Sequence, residues 1–269
     1  MESVLRMLEV PGAMLLGGSI GWWVSRRGNW AWLAVYAVGL ALLGIYIALA
    51  RFPVFAIHVL PPSVVASPHR FPIAAMAIVL VLVPIGTRLH DVGQRRRLVA
   101  LLGAMGLVVG GIPAVSAQRA VPELTRLPDG WFADGVCRQQ TDYTCGPAAA
   151  ATGLRLLGIR TTEGELGLLA GTSPAEGTPA TVLAAVLSQR FAGDGLRVEL
   201  RRFRDIESLR KAGLVLVEVH LAPLVNHWIC VREVTESHVV VGDPTVGWQS
   251  LTHADFLAAW WRTGVVLVR

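Results

Sequence analysis

In the stretch RQQTDYTCGPAAAATGLRLLGI, residues 138–159, a cysteine, Cys145, stands directly before a Gly-Pro pair and an alanine-rich run of helical periodicity. Pro147 suits the first turn of a helix, where its missing N–H would have had no partner. The spacing therefore places Cys145 at a helix N-terminus. A thiol attacks as its thiolate, and the free N–H groups and dipole of a helix N-terminus favour that anion. Gly146 is expected to give a substrate backbone room to approach, and Ala148 to Ala151 to make the helix slim enough to pack deep against a sheet. A cysteine that merely fills space needs none of these features together.

A nucleophilic thiol also requires a base and a site for the developing oxyanion. His227, in LVNHWICVREV, opens a strand-like run about eighty residues after the cysteine, and Asp243, in VVVGDPTVG, ends the next such run, where it can orient a neighbouring imidazole. Gln139, six residues before Cys145, can aim its amide N–H at an oxyanion together with the Cys145 backbone N–H, and Gln140 is the alternative one position out of register. His220, His238 and His253 have no partners at useful spacing and are read as structural. Asp142 is read as a cap or turn residue, Asn226 as a hydrogen-bonding neighbour of His227, and Gly171, Thr172, Gly177 and Thr178 as the loop between two helices. Three cysteines without a CxxC pair give no zinc pattern, so neither metal nor cofactor is expected. Cys137 and Cys230 are either two separately buried cysteines or a bridge, and strand parity turns Cys230 away from the His227 side.

The elements that must position these residues follow from periodicity. Helical patterns cover about 147–157, 163–170 and 179–190, and strand-like runs follow at LRVELRRF, GLVLVEVHL, HWICVREV, HVVVGDP and GVVLVR. Helices first and strands later indicate an α+β domain over about 131–269 with a largely antiparallel sheet.

The rest of the chain has a different character. Of 269 residues 53% are hydrophobic and only 16% charged, an excess concentrated before residue 118. A membrane-crossing helix takes about 20 mainly apolar residues, and three to four spans are expected in an all-α region over 1–117, at about 30–50, 71–87 and 98–117, with 10–24 either spanning or lying in the interface. Residues 118–130 are then a linker. Trp22, Trp23, Trp30 and Trp32 stand at the ends of the first two runs, where headgroups attract amphipathic rings. The basic connections holding Arg26 and Arg27, and Arg88 and Arg95 to Arg97, belong in the cytoplasm. The expectation is a multi-pass protein of the cell membrane, in contact with the lipid bilayer, whose C-terminal domain is extracytoplasmic. Val115 and Ala117 after Pro113 also have the layout of a signal-peptidase site, but a membrane helix that ends in small residues is the favoured reading. The net charge of +5 sits between apolar runs, not on an aromatic-interleaved surface, which argues against nucleic acid. The sole lysine, Lys211, lies in SLRKAGL without a glycine loop, so no ATP-binding domain is expected in this chain.

Taken in order, RQQTDYTCGPAAAATGLRLLGI, TTEGELGLLAGTSPAEGT, NHWICVREV, VVVGDPTVG and FLAAWWRTGVVLV resemble the bacteriocin-processing, double-glycine leader peptidases, peptidase family C39. The resemblance covers about 131–269 and implies a papain-like cysteine peptidase that acts on a peptide or protein substrate. It implies Cys145 as nucleophile, His227 as general base and acid, Asp243 as the orienting carboxylate and Gln139 as oxyanion donor. The same chemistry serves a thiol amidase or transamidase acting on cell-wall or other peptides, and a noncatalytic peptide-binding module is the remaining alternative.

Overall fold

The computed structural model describes residues 2–27, 30–51, 70–222 and 225–269. The chain divides into two compact units, one of Met1–Ala56 and Pro68–Val115 and one that contains Ser116–Arg269.

The first unit is helical: α1 Glu2–Ser25, α2 Ala31–Arg51, α3 Arg70–Arg88 and the first part of α4 Val92–Arg126. Small residues let these helices approach closely. A Cβ on Gly39 would meet the Val81 backbone nitrogen at 2.9 Å, and one on Gly17 would meet Met76 Cγ at 3.0 Å. Val10, Met14, Ala75, Val79 and Leu102 fill the core between them.

The apolar runs are thus helices, but among the described residues no helix is long and apolar enough to cross a membrane. The expected spans are therefore not confirmed among the described residues. Pro11 and Pro84 lie inside α1 and α3, and α4, though 35 residues long, carries Arg95 to Arg97 near its start and Arg119, Glu123 and Arg126 near its end. The run over 30–50 falls partly outside the described residues, because the side chains from 46 onward are not among them. One correction concerns the linker: α4 continues unbroken past Pro113, Val115 and Ala117 to Arg126, so most of 118–130 is helix.

In the second unit, α5 Cys145–Leu156, α6 Glu163–Ala170 and α7 Ala180–Arg190 precede a six-stranded antiparallel sheet in the order β1-β6-β2-β3-β4-β5. Its strands are β1 Arg197–Arg202, β2 Val215–Ala222, β3 Val225–Val234, β4 His238–Asp243, β5 Gly247–Thr252 and β6 Trp260–Val268. Two short helices, α8 Ile206–Ala212 and α9 His253–Ala259, lie between strands.

Alternation along the strands makes two cores. Leu216, Trp228, Cys230, Val265 and Leu267 pack with Ala148 to Ala151 and Leu154 of α5. Val217, Ile229, Val231, Val241 and Val266 pack with Phe256 and Leu209 on the other side. The alanines of α5 are at most 1% exposed, so the slim face does seat this helix against the sheet. Gly153 continues it, because a Cβ there would meet Leu267 at 3.0 Å and Leu216 at 3.2 Å.

Candidate active site

The segment that leads into α5 is pinned at several points. The Cys137 N–H donates to Thr152 Oγ1 at 2.9 Å on the helix that follows. Thr141 to Thr144 form a tight turn in which the Thr141 N–H donates to the Thr144 hydroxyl at 3.2 Å, and that hydroxyl bonds back to the Thr141 carbonyl at 3.1 Å. Thr144 is the N-cap, and with its hydroxyl turned back it makes no side-chain cap bond to α5. The first N–H groups of the helix are left without the usual capping acceptor, and Cys145 stands among them, 8% exposed. The cap is Thr144 and not Asp142, which is exposed.

Gly146 has a different purpose from the one its position suggests. The space beside it is occupied, not open: a Cβ would meet Thr178 Cβ at 2.9 Å and Trp228 Cδ1 at 3.2 Å. Trp228 Nε1 donates to the Thr178 carbonyl at 3.0 Å, and Thr178 and Thr172 share a 2.7 Å hydroxyl bond. The loop between α6 and α7, with Gly171 and Gly177 at φ of +58° and +61°, is thereby fastened to β3 beside His227.

Across the sheet, β3 and β4 are in register at Cys230 and Gly242. His227, near the start of β3, and Asp243, the last residue of β4, therefore stand at the same end of this strand pair. His227 Nε2 lies 2.9 Å from Asp243 Oδ1, and the Cys145 side chain is close enough to act on the same ring. With Nε2 occupied, Nδ1 is the nitrogen left for the thiol. Burial favours the neutral imidazole, but Asp243 and Cys145 outweigh it, and the His227 pKa is raised to about 9. Burial likewise pushes the Asp243 carboxyl up, and the bonds from His227 and Thr245 more than offset that, holding it below the ordinary carboxylate range. Both the N–H and the hydroxyl of Thr245 donate to the same Oδ1, at 2.7 and 2.6 Å.

The two glutamines point differently. Gln139 is tied to the Asp243 turn through its N–H, which donates to the Pro244 carbonyl at 3.0 Å. Its Nε2 donates to the Thr141 carbonyl at 2.9 Å, and its Oε1 is buried without a partner. Gln140 turns away and donates to the Arg138 carbonyl at 2.9 Å. Of the two, Gln139 is held between the turn after Asp243 and the turn before Cys145.

The remaining candidates are placed elsewhere. Asn226 Oδ1 accepts from Trp261 Nε1 at 3.2 Å, and His220 stacks edge-on against the same Trp261. His238 Nδ1 pairs with the Ser237 hydroxyl, and His253 Nε2 with the Thr235 carbonyl. Cys137 and Cys230 are free and fully buried in the α5 core, and burial pushes both thiols up to about 12. Among the described residues no group of His, Cys, Asp and Glu could hold a metal. Thr245, Trp228 and Thr178 were not legible as site residues, since each acts through a carbonyl or hydroxyl contact that spacing does not encode. A thiol beside an imidazole that is itself hydrogen-bonded to a carboxylate can pass its proton to the ring and attack as the thiolate.

An uncharacterized protein from Methanothermobacter thermautotrophicus is 34% identical over 112 residues, spanning 42% of this chain and 72% of its own length. Another from Methanothermobacter marburgensis is 33% identical over the same length. Among solved structures, the peptidase domain of Streptococcus ComA, a bi-functional ABC transporter involved in quorum sensing, shares 20% identity at a TM-score of 0.44, covering 49% of this chain and 95% of its own. A double glycine motif protease from an AMS/PCAT transporter, in complex with the leader peptide, shares 17% identity at a TM-score of 0.43, covering 52% of this chain and 95% of its own. The sequence pattern of the Peptidase C39 family matches residues 134–269, and the chain belongs to that family.

Proposed function

We propose that the second unit is a cysteine peptidase that cleaves peptide or protein substrates through an acyl-enzyme. The observation that carries this reading is the His227 imidazole, bonded to Asp243 at 2.9 Å and with the Cys145 side chain among the groups that raise its pKa. Cys145 reacts as its thiolate, with its proton taken by the His227 ring that Asp243 holds. The sulfur attacks the scissile carbonyl, and the oxyanion that forms is met by the uncapped Cys145 N–H and the Nε2 of Gln139. His227 gives its proton to the leaving amine as the C–N bond breaks, and the thioester remains on Cys145. Water, deprotonated by His227, then releases the acid and restores the thiolate. Asp243 keeps the ring oriented and does not itself take the proton.

The first unit, in this proposal, anchors the enzyme to the membrane with the peptidase outside the cytoplasm. Support comes from the apolar composition of α1 to α3 and from Arg26 and Arg27, which lie 4.7 and 3.4 Å over the rings of Trp22 and Trp23. Such pairs suit a headgroup layer. A reporter fused after Arg126 is then active only outside the cytoplasm and one fused near Gln94 only inside; the reverse pattern contradicts the orientation.

The activity is tested by incubating the full chain with a peptide library and sequencing the products by mass spectrometry, beside Cys145→Ala. New free carboxyl termini in the wild type alone support hydrolysis. Products joined to an added amine point to a transamidase, and an untouched library contradicts the proposal.

A further inference from the structure

Glu163 opens α6 and is 1% exposed, an unusual place for a carboxyl. Its Oε1 accepts the Gln140 N–H at 2.9 Å. Oε2 is buried with no partner. Burial pushes the Glu163 carboxyl above its ordinary range. A buried group with an unpaired oxygen carries a cost that simple packing does not require, since an apolar side chain would fill the space without it.

The contacts show where that cost is offset. Two consecutive backbone N–H groups flank the Cα of Gln139. The first, its own, is held by the Pro244 carbonyl, and the second, that of Gln140, by Glu163. Fixing both sides of one Cα sets the direction of its Cα–Cβ bond. The Gln139 amide lies on the Thr141 carbonyl in the turn before Cys145, while that of Gln140 meets the Arg138 carbonyl.

We infer that Glu163 is a positioning residue for the oxyanion site, holding the Gln139–Gln140 backbone so that the Gln139 amide faces the reacting carbonyl. This rests on the peptidase reading above.

The test compares two reactions of the same thiol in the full chain. Alkylation by iodoacetamide needs the thiolate but forms no oxyanion. A peptide aldehyde adds the Cys145 sulfur to its carbonyl and yields a hemithioacetal whose oxygen occupies the oxyanion site. Glu163→Leu keeps the volume and removes the acceptor. It lowers kcat for a cleaved peptide and weakens aldehyde affinity by about 10- to 100-fold, the scale of a misplaced catalytic group, with KM and the iodoacetamide rate within about twofold. In a Gln139→Ala background the same change costs less than about threefold, because the group it positions is already gone. Glu163→Gln keeps an acceptor for the Gln140 N–H and stays within about threefold of wild type. If Glu163→Leu does not fold, Glu163→Gln decides: activity as low as that of Gln139→Ala overturns the inference. So does a folded Glu163→Leu with wild-type kcat and aldehyde affinity, or one that loses alkylation and turnover equally. A wild type that alkylates at Cys145 but neither cleaves peptides nor binds the aldehyde overturns the peptidase reading itself, and the inference with it.

Discussion

His227 Nε2 sits 2.9 Å from Asp243 Oδ1, and the same oxygen accepts two further bonds from Thr245. The carboxylate is thus fixed by its own turn before it meets the imidazole, and the ring can present only its other nitrogen to Cys145. This relationship connects two strands, β3 and β4, to the N-terminus of α5.

The proton on His227 is held to about pH 9, so kcat/KM is expected to fall on its alkaline side near that pH, where the imidazolium that protonates the leaving amine is lost. Asp243→Ala removes a contribution that raises the pKa and leaves the burial that lowers it. The alkaline limb then moves to lower pH, and kcat falls about 10²- to 10⁴-fold. A limb that stays in place in that variant would show that Asp243 does not bear on the ring.

The glutamines separate cleanly. Gln139→Ala is expected to lower kcat by about 10²-fold, as loss of an oxyanion donor does. Gln140→Ala, whose amide only meets the Arg138 carbonyl, stays within about twofold. Steady-state kinetics on the two proteins decides which is the donor, and equal losses contradict the assignment.

Gly146→Ala tests whether the space beside the nucleophile belongs to packing or to substrate. With Thr178 and Trp228 in the way, the added methyl group is expected to destabilise the protein by about 1–3 kcal/mol, seen as a lower Tm even in a Cys145→Ala background. A substituted protein that melts as wild type and only loses substrate affinity would return Gly146 to the cleft.

The three thiols differ in access. In the folded protein only Cys145 is expected to react with iodoacetamide, because Cys137 and Cys230 are buried in the core. After unfolding without reductant all three are alkylated. A linked Cys137–Cys230 peptide in the mass spectrum would overturn this.

Much of the second unit was legible because its elements are long and periodic. Cys145, His227 and Asp243 each stand at the edge of a run whose type the pattern declares: a helix start, a strand start and a strand end. What was hidden lies in short or irregular pieces. β5, GWQSLT, lacks strict alternation, and α8 and α9 have only seven residues each, too few for a helical period to show. The box formed by Asp205 and Ser208 and the cap from Thr252 to Asp255 were the available signals. Glu163 looks like any acidic residue in a first helical turn, and nothing in its spacing tells that the turn is buried. Gly146 was misjudged because a glycine beside a nucleophile suits a substrate and a tight core equally well. The continuous α4 was missed because Pro113 suggests a break in a run that the structure carries through to Arg126.

The central claim is that Cys145 forms a covalent bond with the acyl half of a peptide. The direct measurement is an acid quench of wild-type enzyme turning over a cleaved peptide ester, followed by digestion and mass mapping of the acylated residue. The account predicts an acyl thioester on Cys145, and neither adduct nor turnover in Cys145→Ala. An acyl group on any other residue, or cleavage by Cys145→Ala at the wild-type rate, would contradict it.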